Sequence, residues 1–339
     1  MTTGLVYDEA FLLHRAPYEH PEHPGRLSAI WQRLSEDGLA ARCRRVAARE
    51  ATRAEVLAVH TLDHVQSVEA TARCEFVDLD PDTFTSRDSA EAARLAAGAL
   101  VNLVGDVLSG SLTNGFALLR PPGHHAEAGR AMGFCLFNNV AVAAQAARRS
   151  GVRRIAIVDW DLHHGNGTQH CFEEDPEILY FSTHQYPFFP GTGAIGEVGR
   201  GRGRGRTVNV AWPSGMGDAE YLAAFDRVLL PIASAFEPEL VLVSCGFDAA
   251  DGDLLGGMRL SAAGYAAMTQ RVCSLARGRA VLALEGGYNL EAISAAAAAC
   301  TGVLLGDPLA PLDAGPPNMV AERVLRQVLE TQRPFWPAL

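Results

Sequence analysis

Two carboxylates and two adjacent histidines follow an apolar stretch in VDWDLHHGNGT, residues 158–168. The preceding residues RRIAIV are typical of a buried strand. Because side chains alternate between the two faces of a strand, Asp159, Asp161 and His163 point to one side. Zinc prefers imidazole nitrogen and carboxylate oxygen, so Asp161 and His163 are a candidate pair of metal ligands.

A catalytic zinc site takes three protein ligands and keeps one position open. The segment GFDAADGD (246–253) follows another apolar stretch and offers Asp248, Asp251 and Asp253 as the third ligand. Asp248 is favoured weakly, because it lies nearest the end of the strand. A lone Asp-x-His pair more often caps a turn or a helix, but four further loops of similar character argue against that alternative.

A second pair of adjacent histidines, His124 and His125, follows a Pro-Pro-Gly turn in RPPGHHAEAG (120–129). The turn allows both imidazoles to point into one cleft. Two histidines beside an open metal position are typical of metal-assisted hydrolysis, in which one deprotonates water and the other holds charge or protonates the leaving group. Taken alone, the pair would be interpreted as surface histidines. His164 points away from His163 and is expected to pack.

Asp159 and Asn166 are candidate partners of these histidines. A carboxylate raises the pKa of a bonded imidazole, whereas an amide orients the ring without adding charge. One partner of each kind would give the two rings different basicities, which separates an acid from a base. The spacing does not say which residue supports which histidine.

Aromatic residues follow other strands. Tyr288 lies on the Gly-Gly turn of EGGYN, where its phenol could donate a hydrogen bond to a developing oxyanion, with simple packing as an equal alternative. Phe134 in GFC and the pair Phe188 and Phe189 in PFFPGTG suggest the walls of a narrow apolar slot. Core packing is the more usual role of such residues.

These residues need a fold in which several strands end at one place. The predicted strands are 3–8, 115–122, 153–161, 178–184, 207–212, 240–248 and 280–288. The predicted helices are 26–37, 88–109, 137–149, 219–236, 261–277 and 289–305. This alternation predicts an α/β fold with a central, mostly parallel sheet and helices on both faces. Ligands of such sheets bind beyond the carboxyl ends of the strands, where the five reactive loops lie.

Composition limits the class of protein. The chain has 339 residues, 48% of them hydrophobic, a net charge of −10 and no evident linker, which predicts one domain over 1–339. The charge argues against nucleic-acid binding, so GRGRGRGR (199–206) is interpreted as a solvated loop. Seven scattered cysteines predict free thiols in the cytoplasm, and no apolar run is long enough for a membrane span.

The motifs RPPGHHA, VDWDLHHGNGT, FFPGTG, GFDA and EGGYN together resemble those of the zinc-dependent histone deacetylase superfamily. The resemblance extends from TGLVYD through HPEHPGRLSAIWQRL to GMGDAEYLAAF, which is nearly the whole chain. It is closest to class II, including bacterial histone deacetylases and acetylpolyamine amidohydrolases. The resemblance implies a single deacetylase-like catalytic domain with the arginase–deacetylase fold.

The resemblance also implies a ligand set and a catalytic pair. One catalytic zinc ion (Zn2+) would be held by Asp161, His163 and Asp248. His125 would act as a general base towards water and then as an acid towards the leaving amine, with His124 as its electrostatic partner.

Supporting roles follow from the same resemblance. Asp159 would lie behind His124 and Asn166 behind His125, and Tyr288 would polarise the acyl carbonyl. Residues implied at the acyl-lysine tunnel and its rim are Gly133, Phe134, Phe189, Leu255 and an acid, Asp82 or Asp80, that grips the substrate backbone. A structural potassium ion (K+) is implied near Asp159, Asp161, His163, Ser182 and Thr183.

Two departures from relatives are informative. Class IIa members carry His where Tyr288 stands here, and Tyr288 restores the competent donor. The cysteines of their additional zinc site are missing from HRAPYEHPEHPGR, so one zinc is predicted. A dinuclear arginase-like centre is disfavoured, because Ala250 stands where a second acid is needed.

The predicted activity is zinc-dependent removal of acetyl or other short acyl groups from lysine side chains of proteins or peptides. An alternative substrate class is acetylpolyamines or other small acetylated amines, although Leu255 supplies no acid for a distant cation. A second alternative is a non-catalytic module that binds acyl-lysine, against which Tyr288 and the intact histidine pair argue. The oligomeric state is left open.

Overall fold

The computed structural model describes residues 1–337 and 339 of the chain. The central strands coincide with apolar stretches of the sequence, and every residue of these strands is buried. In chain order, the strands are β1 (Thr3–Val6), β2 (Arg44–Arg45), β3 (Phe76–Asp78), β4 (Phe84–Ser86), β5 (Asn114–Ala117), β6 (Ile155–Asp159), β7 (Ile178–Gln185), β8 (Thr207–Trp212), β9 (Leu240–Cys245) and β10 (Ala280–Leu284).

The helices are α1 (Gly25–Glu36), α2 (Leu39–Arg42), α3 (Arg53–Val56), α4 (Leu62–Thr71), α5 (Ser89–Leu108), α6 (Asn139–Arg149), α7 (Asn166–Phe172), α8 (Asp218–Ala224), α9 (Leu230–Phe236), α10 (Ala262–Cys273), α11 (Leu290–Leu305) and α12 (Met319–Gln332). A π-helical turn, Phe225–Leu229, joins α8 to α9, so the predicted helix 219–236 is interrupted. Within residues 1–337 and 339, no helix has the length and apolar character needed to cross a membrane.

Eight strands form one sheet in the order β2-β1-β5-β10-β9-β6-β7-β8, and β3 pairs with β4 in a separate antiparallel hairpin. Neighbouring strands of the large sheet are parallel. Residues of β6, β9 and β10 are buried whichever face they point to, so both faces of the central sheet are covered. These features confirm the predicted α/β fold with its mostly parallel sheet.

The strand register aligns the ends of the central strands. Asp159 at the end of β6 pairs with Ser182 of β7 and with Ser244 of β9. On the other side of β9, Cys245 pairs with Leu284 of β10. The loops that follow β6, β9 and β10 therefore begin within one residue of the same level of the sheet, and β7 continues to Gln185 before its loop begins at the same edge, where the loops can form one site.

The predicted alternation after β6 is present. Trp160 and Leu162 are buried in the main hydrophobic core. Asp159, Asp161 and His163 are buried among polar groups instead. Residues 159–163 therefore have an apolar side that packs in the core and a polar side that carries the candidate metal ligands.

All seven predicted strands exist, but five end earlier than predicted: 3–8 and 153–161 by two residues each, and three others by three to five residues. The predicted strands 115–122, 240–248 and 280–288 end at Ala117, Cys245 and Leu284. The remaining residues of each prediction belong to loops rich in Pro and Gly, which leave strand geometry. Gly287, for example, has a φ of +114°, which residues with a side chain rarely adopt.

The Gly-Arg segment 199–206 supports the C-terminal part of the chain. The Arg206 guanidinium lies 4.6 Å from the Trp336 ring centroid and 5.4 Å from that of Phe236. Trp336 Nε1 donates a hydrogen bond to the Gly205 carbonyl at 2.8 Å. The interpretation of the segment as a solvated loop holds for the exposed Arg202 and is wrong for Arg206, which is half-buried because its guanidinium packs against the ring of Phe236 on α9 and that of Trp336 beyond α12.

Candidate active site

The loops that follow β5, β6, β7, β9 and β10 surround a cavity of about 230 Å³. His124, His125, His163 and Tyr288 contribute side chains to its lining. The lining also contains the predicted tunnel residues Gly133, Phe134, Phe189, Leu255 and Asp82, together with Phe188. Reactive groups predicted from five separate segments therefore face one cavity.

Asp161, His163 and Asp248 form a buried cluster in which one potential ligand atom of each lies within 4.8 Å of the others. His163 Nδ1 lies 3.2 Å from Asp161 Oδ1 and 3.0 Å from Asp248 Oδ2. Among residues 1–337 and 339, this cluster is the one group of three or more His, Cys, Asp or Glu residues whose potential ligand atoms all lie within 4.8 Å of one another. The donor set and its compactness fit a zinc ion.

Backbone groups hold the outer oxygens of both carboxylates. Asp161 Oδ2 accepts a hydrogen bond from Gly286 N–H and Asp248 Oδ1 accepts one from Leu162 N–H, each at 2.8 Å. A Cβ atom at Gly286 would collide with both carboxylates, and one at Gly246 would collide with that of Asp161. The two glycines therefore leave the space in which the carboxylates approach each other.

The other two candidate acids lie elsewhere. Asp253 Oδ2 accepts hydrogen bonds from the backbone N–H groups of Tyr288 at 2.7 Å and Asn289 at 3.0 Å. Asp251 is exposed.

Burial and the charge of Asp161 raise the pKa of Asp248 to about 7, as expected for two adjacent carboxylates in need of a cation.

Each histidine of the 124–125 pair has its own partner. His124 Nδ1 lies 3.0 Å from Asp159 Oδ2, and His125 Nδ1 lies 2.8 Å from Asn166 Oδ1. The two ring centroids are 4.0 Å apart. These are the two pairings that the sequence spacing left open.

The partners give the two rings opposite basicities. Burial lowers the pKa of His124, but the Asp159 and Asp161 carboxylates outweigh it and raise that pKa to about 10. Burial and the adjacent His124 cation hold the pKa of His125 well below its usual range. A neutral imidazole thus lies beside an imidazolium, which suits a base and its electrostatic partner.

His164, predicted to pack, lies outside the metal cluster. Its Nδ1 is 2.7 Å from Thr192 Oγ1 and its Nε2 is 2.9 Å from Gln169 Oε1. Its ring centroid lies 4.8 Å from that of His184. These contacts tie the PFFPGTG loop, which carries Phe189, to the sheet.

Arg26 holds the turn that carries Tyr288, and sequence reasoning missed this residue. Its Nε donates to the Gly287 carbonyl at 2.5 Å and its Nη2 donates to the Glu285 carbonyl at 2.6 Å. The guanidinium carbon lies 4.9 Å from the Tyr288 ring centroid. Arg26 therefore fixes both the backbone and the ring of the candidate oxyanion donor.

A buried carboxylate balances this arginine. Glu22 accepts hydrogen bonds from Arg26 Nη1 at 2.8 Å and from Arg120 Nε at 2.5 Å. All three side chains are fully buried. Burial alone would raise the pKa of Glu22, but Arg120 and Arg26 lower it well below its usual range. The only sequence signal is the four-residue spacing between Glu22, which precedes α1, and Arg26 in the first turn of that helix.

Of the two candidate rim acids, Asp82 lies at the cavity. Asp80 Oδ1 accepts hydrogen bonds from the backbone N–H groups of Asp82 (3.0 Å) and Thr83 (2.6 Å) and so stabilises the β3–β4 turn. Thr83 Oγ1 donates to Asp82 Oδ1 and accepts from Phe134 N–H, each at 3.0 Å. Burial and the neighbouring Asp80 raise the pKa of Asp82.

The remaining predicted residues, Ser182 and Thr183, lie on β7 beside the end of β6. Ser182 Oγ is 2.9 Å from His184 Nδ1, and Thr183 Oγ1 accepts a hydrogen bond from Trp212 Nε1 at 2.6 Å. Both hydroxyls are therefore engaged with other side chains.

Comparisons with known proteins agree with this geometry. A sequence profile described as "Histone deacetylase domain" matches residues 20–304. The chain is 47% identical to Histone deacetylase 15 of Arabidopsis thaliana, over 100% of this chain and 63% of that protein. It is 45% identical to Histone deacetylase 7 of Homo sapiens, over 99% of this chain and 40% of that protein. The chain thus spans less than two thirds of the length of either relative.

The structure is similar to the crystal structure of the HDA15 HD domain, with a TM-score of 0.95 and 46% sequence identity, over 99% of this chain and 96% of that chain. The expected bacterial character of the relatives is wrong for the two curated proteins, which are from a plant and from human. The predicted arginase–deacetylase fold and class II-like resemblance are confirmed, and the chain belongs to the histone deacetylase family.

Proposed function

We propose that the chain hydrolyses the side-chain amide of acylated lysine in proteins or peptides, releasing acetate or another short carboxylate. The observation that carries the proposal is the buried Asp161, His163 and Asp248 cluster at a cavity that also contains His125 and Tyr288. Metal ligands, a neutral imidazole and a phenol around one apolar cavity are the components of metal-assisted amide hydrolysis.

The proposed cofactor is one zinc ion held by the Asp161 and Asp248 carboxylates and the His163 imidazole. When bound, it would supply Lewis-acid polarisation of the amide carbonyl and make water more acidic. Three nitrogen and oxygen ligands next to an open cavity fit a catalytic site better than a structural one.

The side chains have separate proposed roles. His125 accepts a proton from the attacking water and returns it to the nitrogen of the leaving amine. His124, held as a cation by Asp159, stabilises negative charge nearby. The Tyr288 hydroxyl donates a hydrogen bond to the acyl oxygen as that oxygen becomes negative.

The proposed substrate path is the apolar cavity. Phe134 and Phe189 flank the aliphatic part of acyl-lysine, Leu255 lies at the rim, and Asp82 accepts hydrogen bonds from the substrate backbone. Gly133, with a φ of +56°, lets the wall approach the base, since a Cβ there would lie 2.5 Å from His125 Cδ2.

A structural potassium ion is also proposed beside Asp159, Ser182 and Thr183. Within residues 1–337 and 339, no hydrogen bond ends on the carbonyl oxygens of Asp161 or His163, which supports their availability as cation ligands. Potassium removal is expected to lower the thermal stability of the zinc-loaded protein, and an unchanged Tm in potassium-free and potassium-containing buffer would count against this site.

The proposed location is a reducing compartment such as the cytoplasm. The support is that all seven cysteines are free thiols. The proposed partners are acylated proteins or peptides, and the net charge of −10 argues against nucleic acid.

The test is an amine-release assay in which acyl length and amine carrier vary independently, run with the zinc-loaded protein and after chelation. We expect acetyl-lysine peptides to react faster than acetylpolyamines, chelation to abolish release, and added zinc to restore it. Faster release of amine from acetylpolyamines would indicate that small acetylated amines, rather than acyl-lysine peptides, are the substrate class. Tight binding of acetylated peptide without any release would indicate a binding module.

A further inference from the structure

Glu127 lies just outside the cavity and connects the candidate base to the protein surface. Its Oε1 accepts a hydrogen bond from Asn166 Nδ2 at 2.5 Å. The same oxygen lies 2.9 Å from Nδ1 of His170, whose side chain is 38% exposed. On the inner side, Asn166 Oδ1 lies 2.8 Å from His125 Nδ1. The four side chains form a continuous hydrogen-bonded chain.

The donors and acceptors along this chain allow one arrangement. An ionised carboxylate only accepts hydrogen bonds, so the amide of Asn166 must turn its NH2 group towards Glu127. The amide oxygen then faces His125, whose Nδ1 must carry the hydrogen. The lone pair of the neutral ring is left on Nε2.

We propose that Glu127 is a positioning residue that fixes the tautomer of His125 through the Asn166 amide. This inference rests on the proposed function only in treating His125 as the base. The carboxylate does not touch the substrate. Its effect is to keep Nε2 unprotonated and available to accept a proton from water.

Other acceptors near Asn166 are weaker. The His125 carbonyl oxygen and Met132 Sδ each lie 3.4 Å from Asn166 Nδ2, against 2.5 Å for Glu127 Oε1. At those distances a neutral acceptor contributes far less than a short bond to a carboxylate. Without Glu127, the Asn166 amide could rotate and present its NH2 group to His125.

The protein holds Glu127 in place and ionised. Its backbone carbonyl lies 2.9 Å from His60 Nδ1, and its N–H donates to the Arg130 carbonyl at 3.0 Å. Burial raises the pKa of Glu127, but hydrogen bonds from His170 and Asn166 outweigh burial and leave the pKa below its usual value. The acceptor-only form therefore prevails at neutral pH.

Three variants test the inference in the zinc-loaded full chain. Glu127→Ala is expected to lower kcat roughly 10- to 100-fold with little change in KM, a range typical of outer-shell partners. Glu127→Gln is expected to keep most of kcat, because its amide oxygen still accepts from Asn166. In the Glu127→Ala background, Asn166→Asp is expected to restore hydrogen on His125 Nδ1, since a carboxylate accepts in either orientation, and its charge raises the pKa of His125, so that the rescued kcat appears at higher pH.

The matched control is Glu174→Ala, which removes an exposed carboxylate two residues beyond α7, the helix that carries Asn166 and His170. It is expected to leave kcat and KM unchanged. Zinc content and Tm are measured for every variant. A purely structural role for Glu127 predicts a lower Tm in Glu127→Ala and no rescue by Asn166→Asp.

A second readout does not need turnover. Long-range ¹H–¹⁵N correlation spectra report which ring nitrogen of His125 carries the hydrogen. We expect hydrogen on Nδ1 in the wild type and a shift towards Nε2 in Glu127→Ala. An unchanged tautomer in that variant, or wild-type kcat, would overturn the inference. If no substrate releases amine, the proposed function fails, and the spectra still decide the tautomer.

Discussion

Replacement of Glu22 by Gln is expected to lower the free energy of unfolding by about 3–5 kcal/mol, because two buried guanidinium groups lose their counter-charge. The fully buried carboxylate accepts hydrogen bonds from Arg26 Nη1 at 2.8 Å and from Arg120 Nε and Nη2 at 2.5 and 2.7 Å. A chain of 339 residues has an unfolding entropy of about 0.7 kcal/mol/K, so Tm is expected to fall by roughly 4–7 °C.

The effect is expected to depend on pH in one direction. The arginines hold the pKa of Glu22 well below its ordinary value of 4.5, so the carboxylate contributes stability at pH values above 4.5. That contribution is lost as the pH falls from 4.5 towards the lower pKa of the folded state. The difference in Tm between the wild type and Glu22→Gln should therefore be full at pH 7 and shrink in acid.

Calorimetry of both proteins at several pH values checks this prediction, with Asp37→Asn as the control. Asp37 accepts a hydrogen bond from Arg33 Nε at 2.6 Å with the same four-residue spacing on α1, but both side chains are exposed. Exposed ion pairs contribute little, so Tm should change by less than about 1 °C. A loss in Glu22→Gln no larger than that of the control, or one independent of pH, would refute the reasoning.

Three further predictions concern the candidate site. Tyr288→Phe and His125→Ala are each expected to lower kcat by roughly 10²–10³-fold without loss of zinc, and wild-type rates in either would contradict the assigned role. Asp248→Asn is expected to yield protein with little zinc by metal analysis, whereas the exposed neighbour variant Asp251→Asn should retain it. Asp82→Asn is expected to raise KM for an acetyl-lysine peptide about tenfold, because a charge-assisted hydrogen bond to the substrate backbone is lost, and an unchanged KM would exclude that contact.

The features that the sequence predicted correctly are those set by neighbouring residues in the chain, such as the face of a strand to which a side chain points. The alternation along one strand placed Asp161 and His163 together and sent Trp160 to the core, as the structure has it. The sequence favoured Asp248 over Asp251 and Asp253 only weakly, because its approach to Asp161 depends on the register of β6 against β9. The partners of His124 and His125 likewise come from a distant segment, with Asp159 at the end of β6 and Asn166 at the start of α7.

Buried charges were the main omission. Charged side chains are usually exposed, so nothing in the sequence marked Glu22, Arg26 and Arg120 as fully buried. Glu127 was also missed, since its role depends on contact with α7, a helix that the pattern did not predict. By contrast, the missed helix α12 carries a readable signal, because Ala321, Leu325, Val328 and Gln332 recur at helical spacing and are buried.

The contact between the Gly-Arg segment and the C-terminal residues has a consequence for self-association. Strand β8 is the last strand on its side of the sheet, and such edges can pair with another molecule. Gln332 Nε2 donates a hydrogen bond to the Thr207 carbonyl at 3.0 Å, and Trp336 Nε1 donates one to the Gly205 carbonyl. The end of α12 therefore shields the entry to the edge strand, and this cover opposes pairing of β8 with a second molecule.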